Sequence, residues 1–296
     1  MAGAGVTPAD HAARRTFRAL LEARWDAGLF VSVGLDPDWE RLPEHLRAAA
    51  GPAPDDAAKA AAVGRFCAAI VDATADLACA FKPNAAFFER FGAPGVAALG
   101  SLMRHVRAAA PAVPVIYDAK RGDIGSTNAG YVEDSFDRLG ADAITVHPYL
   151  GAESLAPFLA RADRGTIVLV RTSNPGGGEF QDLRVGGEPL YRAVARRVAE
   201  NWNGNDNCAV VVGATYPAEL AAVRAVVGDM PILIPGVGAQ GGDVRLTVVA
   251  GRDARGRGMV INSSRGIIYA SGGEDFAAAA RAETLRLTRE IQSHNR

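Results

Sequence analysis

The densest concentration of reactive side chains is Asp118-Ala119-Lys120-Arg121-Gly122-Asp123. It follows directly on Val113-Pro114-Val115-Ile116-Tyr117, an apolar run with the length and composition of a buried strand. Asp118 and Lys120 are two apart, which on a strand places both side chains on one side. Charges held that closely shift one another's pKa values. Two carboxylates flanking an ammonium can move a proton or stabilise charge that develops on a substrate. The competing interpretation is a solvated charged turn. The position, at the end of a buried run, argues against it.

Other polar residues occupy equivalent places. Asp36 follows an apolar run at 29–37, and Lys82 closes one at 77–84. His147, Thr172 with Ser173, Thr215 and Arg265 each follow a later run. His147 fits an ordinary hydrogen-bonded histidine better than a general base. The segment Pro235-Gly236-Val237-Gly238-Ala239-Gln240-Gly241-Gly242 contains a GxGxxG pattern. A dinucleotide site would need an acidic residue at the end of the next strand, and that strand ends in Asn262-Ser263-Ser264-Arg265. Joined to Ser264-Arg265-Gly266, the glycines read instead as a phosphate site. Backbone N–H groups can approach the anion closely there, and an arginine adds a bidentate fork. No His or carboxylate cluster has metal-ligand spacing, and no GxSxG nucleophile elbow is present.

These residues need elements that bring them together. Apolar runs of strand length recur at 29–37, 77–84, 113–123, 141–148, 166–175, 208–215, 231–238 and 258–266, each followed by a helical pattern. Strands alternating with helices predict a parallel sheet covered on both faces. Eight such units predict a single α/β domain over residues 1–296, a closed (β/α)8 TIM barrel, in which the C-terminal strand ends converge on one mouth. An extra N-terminal helix is expected to be capped by Thr7-Pro8-Ala9-Asp10, with Phe17, Leu20, Leu21 and Trp25 on one face. Residues 48–58 read as a surface loop. The Gly-rich stretch 174–189 reads as a long connection, either a binding loop or a passive insertion.

Composition narrows the partners. Lys+Arg 32 against Asp+Glu 33 gives a net charge of -1, so no overall basic field attracts nucleic acid or anionic lipid. The arginine groups at 14–15, 196–197 and 252–257 read as solvated faces. The three cysteines, Cys67, Cys79 and Cys208, form no CxxC pair and read as buried thiols in a reducing cytosol. No signal peptide and no apolar run of membrane-spanning length is legible, so a cytoplasmic location is expected.

The sequence VIYDAKRGDIGSTNAGY resembles the signature of the orotidine 5′-phosphate decarboxylases, a DxKxxD element followed by Ile124 and then Thr127. The resemblance extends through GLDP at 34–37, FKPN at 81–84, RTSNPG at 171–176, PGVGAQGGD at 235–243 and NSSRG at 262–266. FKPN and RTSNPG are similar to the longer bacterial branch, type 2. The resemblance implies decarboxylation of orotidine 5′-phosphate to UMP and CO2 without a cofactor. It implies that Lys82, Asp118, Lys120 and Asp123 form an alternating charged array, with Lys120 donating the proton. Asp36 and Lys82 would contact ribose hydroxyls, and Ser173 would read the pyrimidine. Gln240, Arg265 and backbone around Pro235, Gly236, Val237 and Gly238 would hold the 5′-phosphate. Asp123, Ile124 and Thr127 would belong to a site shared across a homodimer. Ser264 stands where relatives often have glycine, which touches one backbone contact to phosphate.

The chemistry requires such groups. Loss of CO2 from C6 of orotate leaves an anion with little delocalisation into the ring, so a preorganised ammonium has to stabilise it and then protonate it. Three other readings stay open at this point: a Mg-dependent sugar-phosphate lyase or decarboxylase of the same barrel superfamily, a Schiff-base aldolase using Lys120, and a non-catalytic phosphosugar-binding protein.

Overall fold

The structure, a computed structural model, describes residues 15–237 and 241–295. Its centre is one sheet of eight strands: β1 (Val31–Leu35), β2 (Ala80–Pro83), β3 (Ile116–Arg121), β4 (Ala143–Val146), β5 (Gly165–Arg171), β6 (Cys208–Val212), β7 (Ile232–Pro235) and β8 (Met259–Ser263). The order is β2-β1-β8-β7-β6-β5-β4-β3, and every ladder is parallel. The two outer strands meet as well. Phe81 bridges to Val115 and Asn84 to Asp118, both parallel, so the sheet closes into the expected barrel. β1, β2, β4, β6 and β8 are buried at every residue. That burial accounts for their unbroken Val, Ile and Ala runs, since helices cover one face and the barrel interior the other.

The helices start on side-chain caps. Asp55 accepts from the Ala58 N–H at 2.8 Å to begin Asp56–Thr74, and Asp243 accepts from the Leu246 N–H at 2.8 Å to begin Val244–Gly251. The expected loop at 48–58 narrows to the connection between a helix ending at Ala48 and this cap. The stretch 174–189 is more ordered than a Gly-rich loop. It holds a 3-10 turn (Pro175–Gly177), one helical turn (Gly178–Gln181) and a hairpin pairing Arg184–Val185 with Glu188–Pro189.

The N-terminal helix α1 (Phe17–Asp26) is capped by Thr16, whose hydroxyl accepts from the Ala19 N–H at 3.1 Å. The cap expected at Thr7-Pro8-Ala9-Asp10 lies outside the described residues. Phe17, Leu21 and Trp25 are the buried positions of α1, while Leu20 sits half-buried on its shoulder. The Trp25 indole donates to the Met259 carbonyl at 2.8 Å, and Arg24 Nε donates to the Ala78 carbonyl at 2.8 Å. A Cβ on Gly165 would lie 2.3 Å from the Phe17 ring and 2.7 Å from Ala143 Cβ. Met259, Ala78 and Gly165 all lie at N-terminal strand ends, so α1 covers that end of the barrel, and only glycine at 165 lets it approach.

Among the described residues, no helix is long and apolar enough to cross a membrane. The three cysteines are free and buried, and burial pushes their thiols up, Cys208 to about 12. At neutral pH they remain protonated.

Candidate active site

A cavity of about 390 Å³ opens at the C-terminal strand ends. Leu169, Val211 and Leu233 form an apolar floor, while Asp36, Lys82, Asp118, Lys120 and Thr145 form a charged wall. Ser173, Asn174, Pro235, Gly236, Val237, Ser264 and Arg265 line the opposite side. Strands far apart in sequence therefore deliver one polar wall and one apolar floor to the same space, as the barrel topology requires.

The wall is an alternating row of charge. Lys82 Nζ lies 2.7 Å from Asp118 Oδ2 and 3.7 Å from Asp36 Oδ1. Lys120 Nζ lies 2.7 Å from the other oxygen of the same carboxylate, Asp118 Oδ1. Lys82 and Asp118 are 3% and 8% exposed, so these pairs are little screened by solvent. Burial alone would drive both groups neutral. For Lys82 it is outweighed by Asp118 and Asp36, which push the ammonium up to about 12. For Asp118 burial is outweighed by Lys82 and Lys120, which hold the carboxyl well below the usual carboxylate range. Both groups are charged at neutral pH.

Asp118 and Lys120 meet, but not by simple strand alternation. The β3–β4 ladder slips between Tyr117 and Arg121, and Lys120 adopts a left-handed backbone with φ 49°. A residue with a Cβ rarely takes that conformation, and it persists where surrounding bonds impose it. Here it swings the Lys120 side chain back over the Asp118 carboxylate.

The remaining predicted residues divide into three groups. Asp36, Lys82, Ser173, Pro235, Gly236, Val237, Ser264 and Arg265 line the cavity with Asp118 and Lys120. Gly238 and Gln240 lie outside the described residues. Asp123, Ile124 and Thr127 do not line the cavity. Asp123 sits on the connection after β3, where its carboxylate accepts from the Ile124 N–H at 2.7 Å and its own N–H donates to Asn128 Oδ1 at 3.0 Å. Asn128 is fully buried and also donates to the Ser154 carbonyl, pinning this connection to the helix Gly151–Leu159. Ile124 is 61% exposed. Within one chain, the fourth charge of the row is therefore Asp36 rather than Asp123.

His147 Nε2 is 3.1 Å from the Gly122 carbonyl. A carbonyl only accepts, so this nitrogen carries the proton and the ring is tied to the loop; His147 does not line the cavity. Thr145 and Asn262 were not singled out from the sequence. Thr145 interrupts the apolar β4, and Asn262 begins a buried polar pair with Ser263 at the end of β8. Asn262 Oδ1 accepts from Ser32 at 3.1 Å, and its Nδ2 donates to Ser264 Oγ at 3.2 Å. For Thr145, a polar residue between apolar neighbours on a buried strand was the available signal. Among the described residues, no group of three or more His, Cys, Asp or Glu side chains is placed to hold a metal ion.

The family model for Orotidine 5′-phosphate decarboxylase / HUMPS matches residues 30–282. The chain belongs to this family. It is 54% identical over 279 residues to an Azoarcus sp. protein named Orotidine 5′-phosphate decarboxylase, covering 94% of this chain and 99% of that one. A Cupriavidus necator protein of the same name is 53% identical over 276 residues. Among solved structures, the fold is similar to Leishmania donovani OMP decarboxylase, with a TM-score of 0.80, 40% identity and coverage of 95% of this chain and 98% of that one. It also matches Leishmania donovani UMP synthase with a TM-score of 0.81 and 42% identity; the chain spans only 56% of that longer protein.

Proposed function

We propose that this chain decarboxylates orotidine 5′-phosphate to UMP and CO2 in pyrimidine biosynthesis, as one catalytic domain acting in the cytoplasm without a cofactor. One observation carries the reading. The two ammonium groups Lys82 and Lys120 are held at 2.7 Å on opposite oxygens of one buried carboxylate, at the edge of a cavity that fits a nucleotide-sized ligand. In the reaction the bond from C6 to the carboxylate breaks, its electron pair stays on C6, and CO2 leaves. The Lys120 ammonium faces the developing anion and transfers a proton to C6, and the resulting amine regains its proton from water. Asp118 orients the Lys120 ammonium beforehand. Its fixed negative charge also disfavours a second carboxylate nearby and favours the neutral product CO2.

Asp36 and Lys82 serve the ribose hydroxyls, and Ser173 the pyrimidine. The 5′-phosphate goes to Arg265, Gln240 and backbone at 235–238, with Ser264 beside it. Arg265 supports this assignment because it lines the cavity and makes no ion pair with a described carboxylate. The assay is the loss of orotidine absorbance on adding purified protein, repeated after exhaustive EDTA treatment. Turnover that survives EDTA fits Lys120 as the electrophile. Turnover that vanishes and returns with Mg2+ favours the sugar-phosphate lyase, and binding without turnover favours the silent phosphosugar binder.

The acting unit in this reading is a homodimer with shared sites, since Asp123, Ile124 and Thr127 do not line their own chain's cavity. Lys120→Ala and Asp123→Ala dimers are then each nearly inactive. Subunit exchange between them makes about half the dimers mixed, each with one intact site, so about a quarter of wild-type activity returns. No recovery despite exchange confirmed by mass labelling would mean that each subunit builds its site alone.

A further inference from the structure

Thr145 lies on β4 beside the point where the β3–β4 ladder slips, and it is 1% exposed. Its hydroxyl makes two bonds at once. The oxygen accepts from the Lys120 backbone N–H at 3.0 Å, and the O–H donates to Asp118 Oδ1 at 2.9 Å. That carboxylate oxygen is also the one that receives the Lys120 ammonium at 2.7 Å. The contacts close a ring: Lys120 N–H to Thr145, Thr145 to Asp118, Asp118 to the Lys120 side chain. The left-handed Lys120 backbone is the strained member of this ring. A hydroxyl can accept and donate simultaneously, whereas a valine of nearly the same shape can do neither. Asn84, an uncharged neighbour of Asp118, reaches Oδ2 only at 3.5 Å and spends its own oxygen capping the Ala86 N–H at 3.1 Å.

We propose that Thr145 is the positioning residue of the charged row: its buried hydroxyl fixes the Asp118 carboxylate against the Lys120 backbone and so sets where the Lys120 ammonium points. The proposal rests on the reading of Lys120 as proton donor, and it assigns Thr145 no contact with the reacting atoms. Loss of the hydroxyl leaves the cavity, the ribose contacts and the phosphate grip in place. It frees Asp118 to rotate and Lys120 to leave the left-handed conformation. The consequence falls on turnover rather than on binding.

The test compares Thr145→Val, which removes the hydroxyl, with Thr145→Ser, which keeps it. Displacing a reacting group by about 1 Å can cost on the order of 100-fold. The expected result for Thr145→Val is therefore a kcat lowered by about 10- to 100-fold, with KM and UMP affinity within about twofold of wild type. Thr145→Ser is expected to recover most of the lost kcat. A Val variant that keeps kcat within about twofold, or a Ser variant that falls as far as Val, overturns the proposal. If circular dichroism shows that the Val variant does not fold, Thr145→Ala is read by the same criteria. A second measurement needs no turnover: reductive methylation of Lys120, whose side chain is 49% exposed, followed by peptide mass spectrometry. An amine no longer held against Asp118 is freer to meet the reagent, so methylation in Thr145→Val is expected to be at least about threefold faster. Equal rates in wild type and Val overturn the proposal. A wild-type protein without decarboxylase activity would sink the functional reading separately, and the methylation comparison would then decide the role of Thr145 alone.

Discussion

At the N-terminal end of the barrel, Asp142 is 1% exposed, and one of its oxygens accepts from the Val115 backbone N–H at 2.9 Å. The other lies 3.4 Å from Arg15, 3.4 Å from Arg107 and 3.5 Å from Arg164. Arg15 is thus more than part of a solvated face, and it also donates to the Pro111 carbonyl. Nearby, the buried Arg224 guanidinium donates to four carbonyls: Gly251, Gly228 and Gly258 at 2.8 Å each, and Met230 at 2.7 Å. At the C-terminal end, Asp118 is also buried but pairs with two lysines, and the row ends in Asp36, whose buried Oδ1 has no hydrogen-bond donor among the described residues. The difference lies in what satisfies each charge. At the N-terminal end backbone carbonyls satisfy Arg224, and a backbone N–H with three arginines satisfies Asp142, so these charges hold strand ends together. At the mouth charge is satisfied mainly by other side-chain charge facing a cavity, so the arrangement has capacity left for a ligand.

The comparison breaks first at Lys120. Lys120→Ala is expected to lower kcat by roughly four orders of magnitude, about 5 kcal/mol, while UMP still binds and the urea midpoint barely moves. A variant with near-normal kcat would make the mouth as structural as the opposite end. Arg224→Met is the mirror experiment. It leaves three buried carbonyls, and the Gly228 carbonyl nearer the surface, without this donor, at about 3–5 kcal/mol of stability. The urea midpoint should fall sharply, while kcat/KM of the folded enzyme stays within about twofold. A large loss of kcat/KM with unchanged stability would merge the two ends into one functional unit.

Arg265 sharpens the contrast within the mouth, since its charge-assisted grip on phosphate contributes to binding rather than to the chemical step. Arg265→Ala should cost about 100-fold in kcat/KM, within the ~1.5–3 kcal/mol expected of a hydrogen bond to a charged group. Added guanidinium should restore part of that loss. A normal KM in the variant would remove Arg265 from the site.

The ends also differed in how far the sequence revealed them. The mouth was legible because its residues are chemically unusual where they stand: Asp118 and Lys120 after an apolar run, glycines clustered beside Arg265. The barrel was legible because its strands are buried on both faces and therefore read as unbroken apolar runs. Arg224 was not legible as an anchor, because its partners are backbone groups that no side-chain pattern encodes, and Asp142 was not, because its arginines come from positions 15, 107 and 164, which no local spacing joins to it. Thr145 was hidden for a related reason, since one hydroxyl within an apolar strand resembles a β-branched core residue. The left-handed turn at Lys120 was invisible too. It is imposed by bonds from the neighbouring strand, whereas sequence patterns report local preference. The hairpin within 174–189 was masked by its glycines, two of which, Gly186 and Gly187, form its turn with φ 59° and 87°.

The smallest expected effect is a pH dependence that belongs to the mouth. Burial by itself would lower the Lys82 pKa, but Asp118 and Asp36 overcome it and raise the group to about 12 in the folded chain. An unfolded chain returns it to about 10.4. A base with a raised folded pKa stabilises fully below its unfolded value, and that contribution is lost as pH rises through the folded one. The gap corresponds to about 2 kcal/mol. Asp118 behaves with the opposite sign: its lowered pKa contributes stability above about 3.9 that is lost only as pH falls further. Urea midpoints of wild type and Lys82→Met, compared at pH 9 and at about pH 11.5, isolate the lysine because every other titrating group is common to both proteins. The advantage of wild type should shrink by more than half over that interval. An advantage of equal size at both pH values would mean that Lys82 is held by packing and not by the carboxylates of the row.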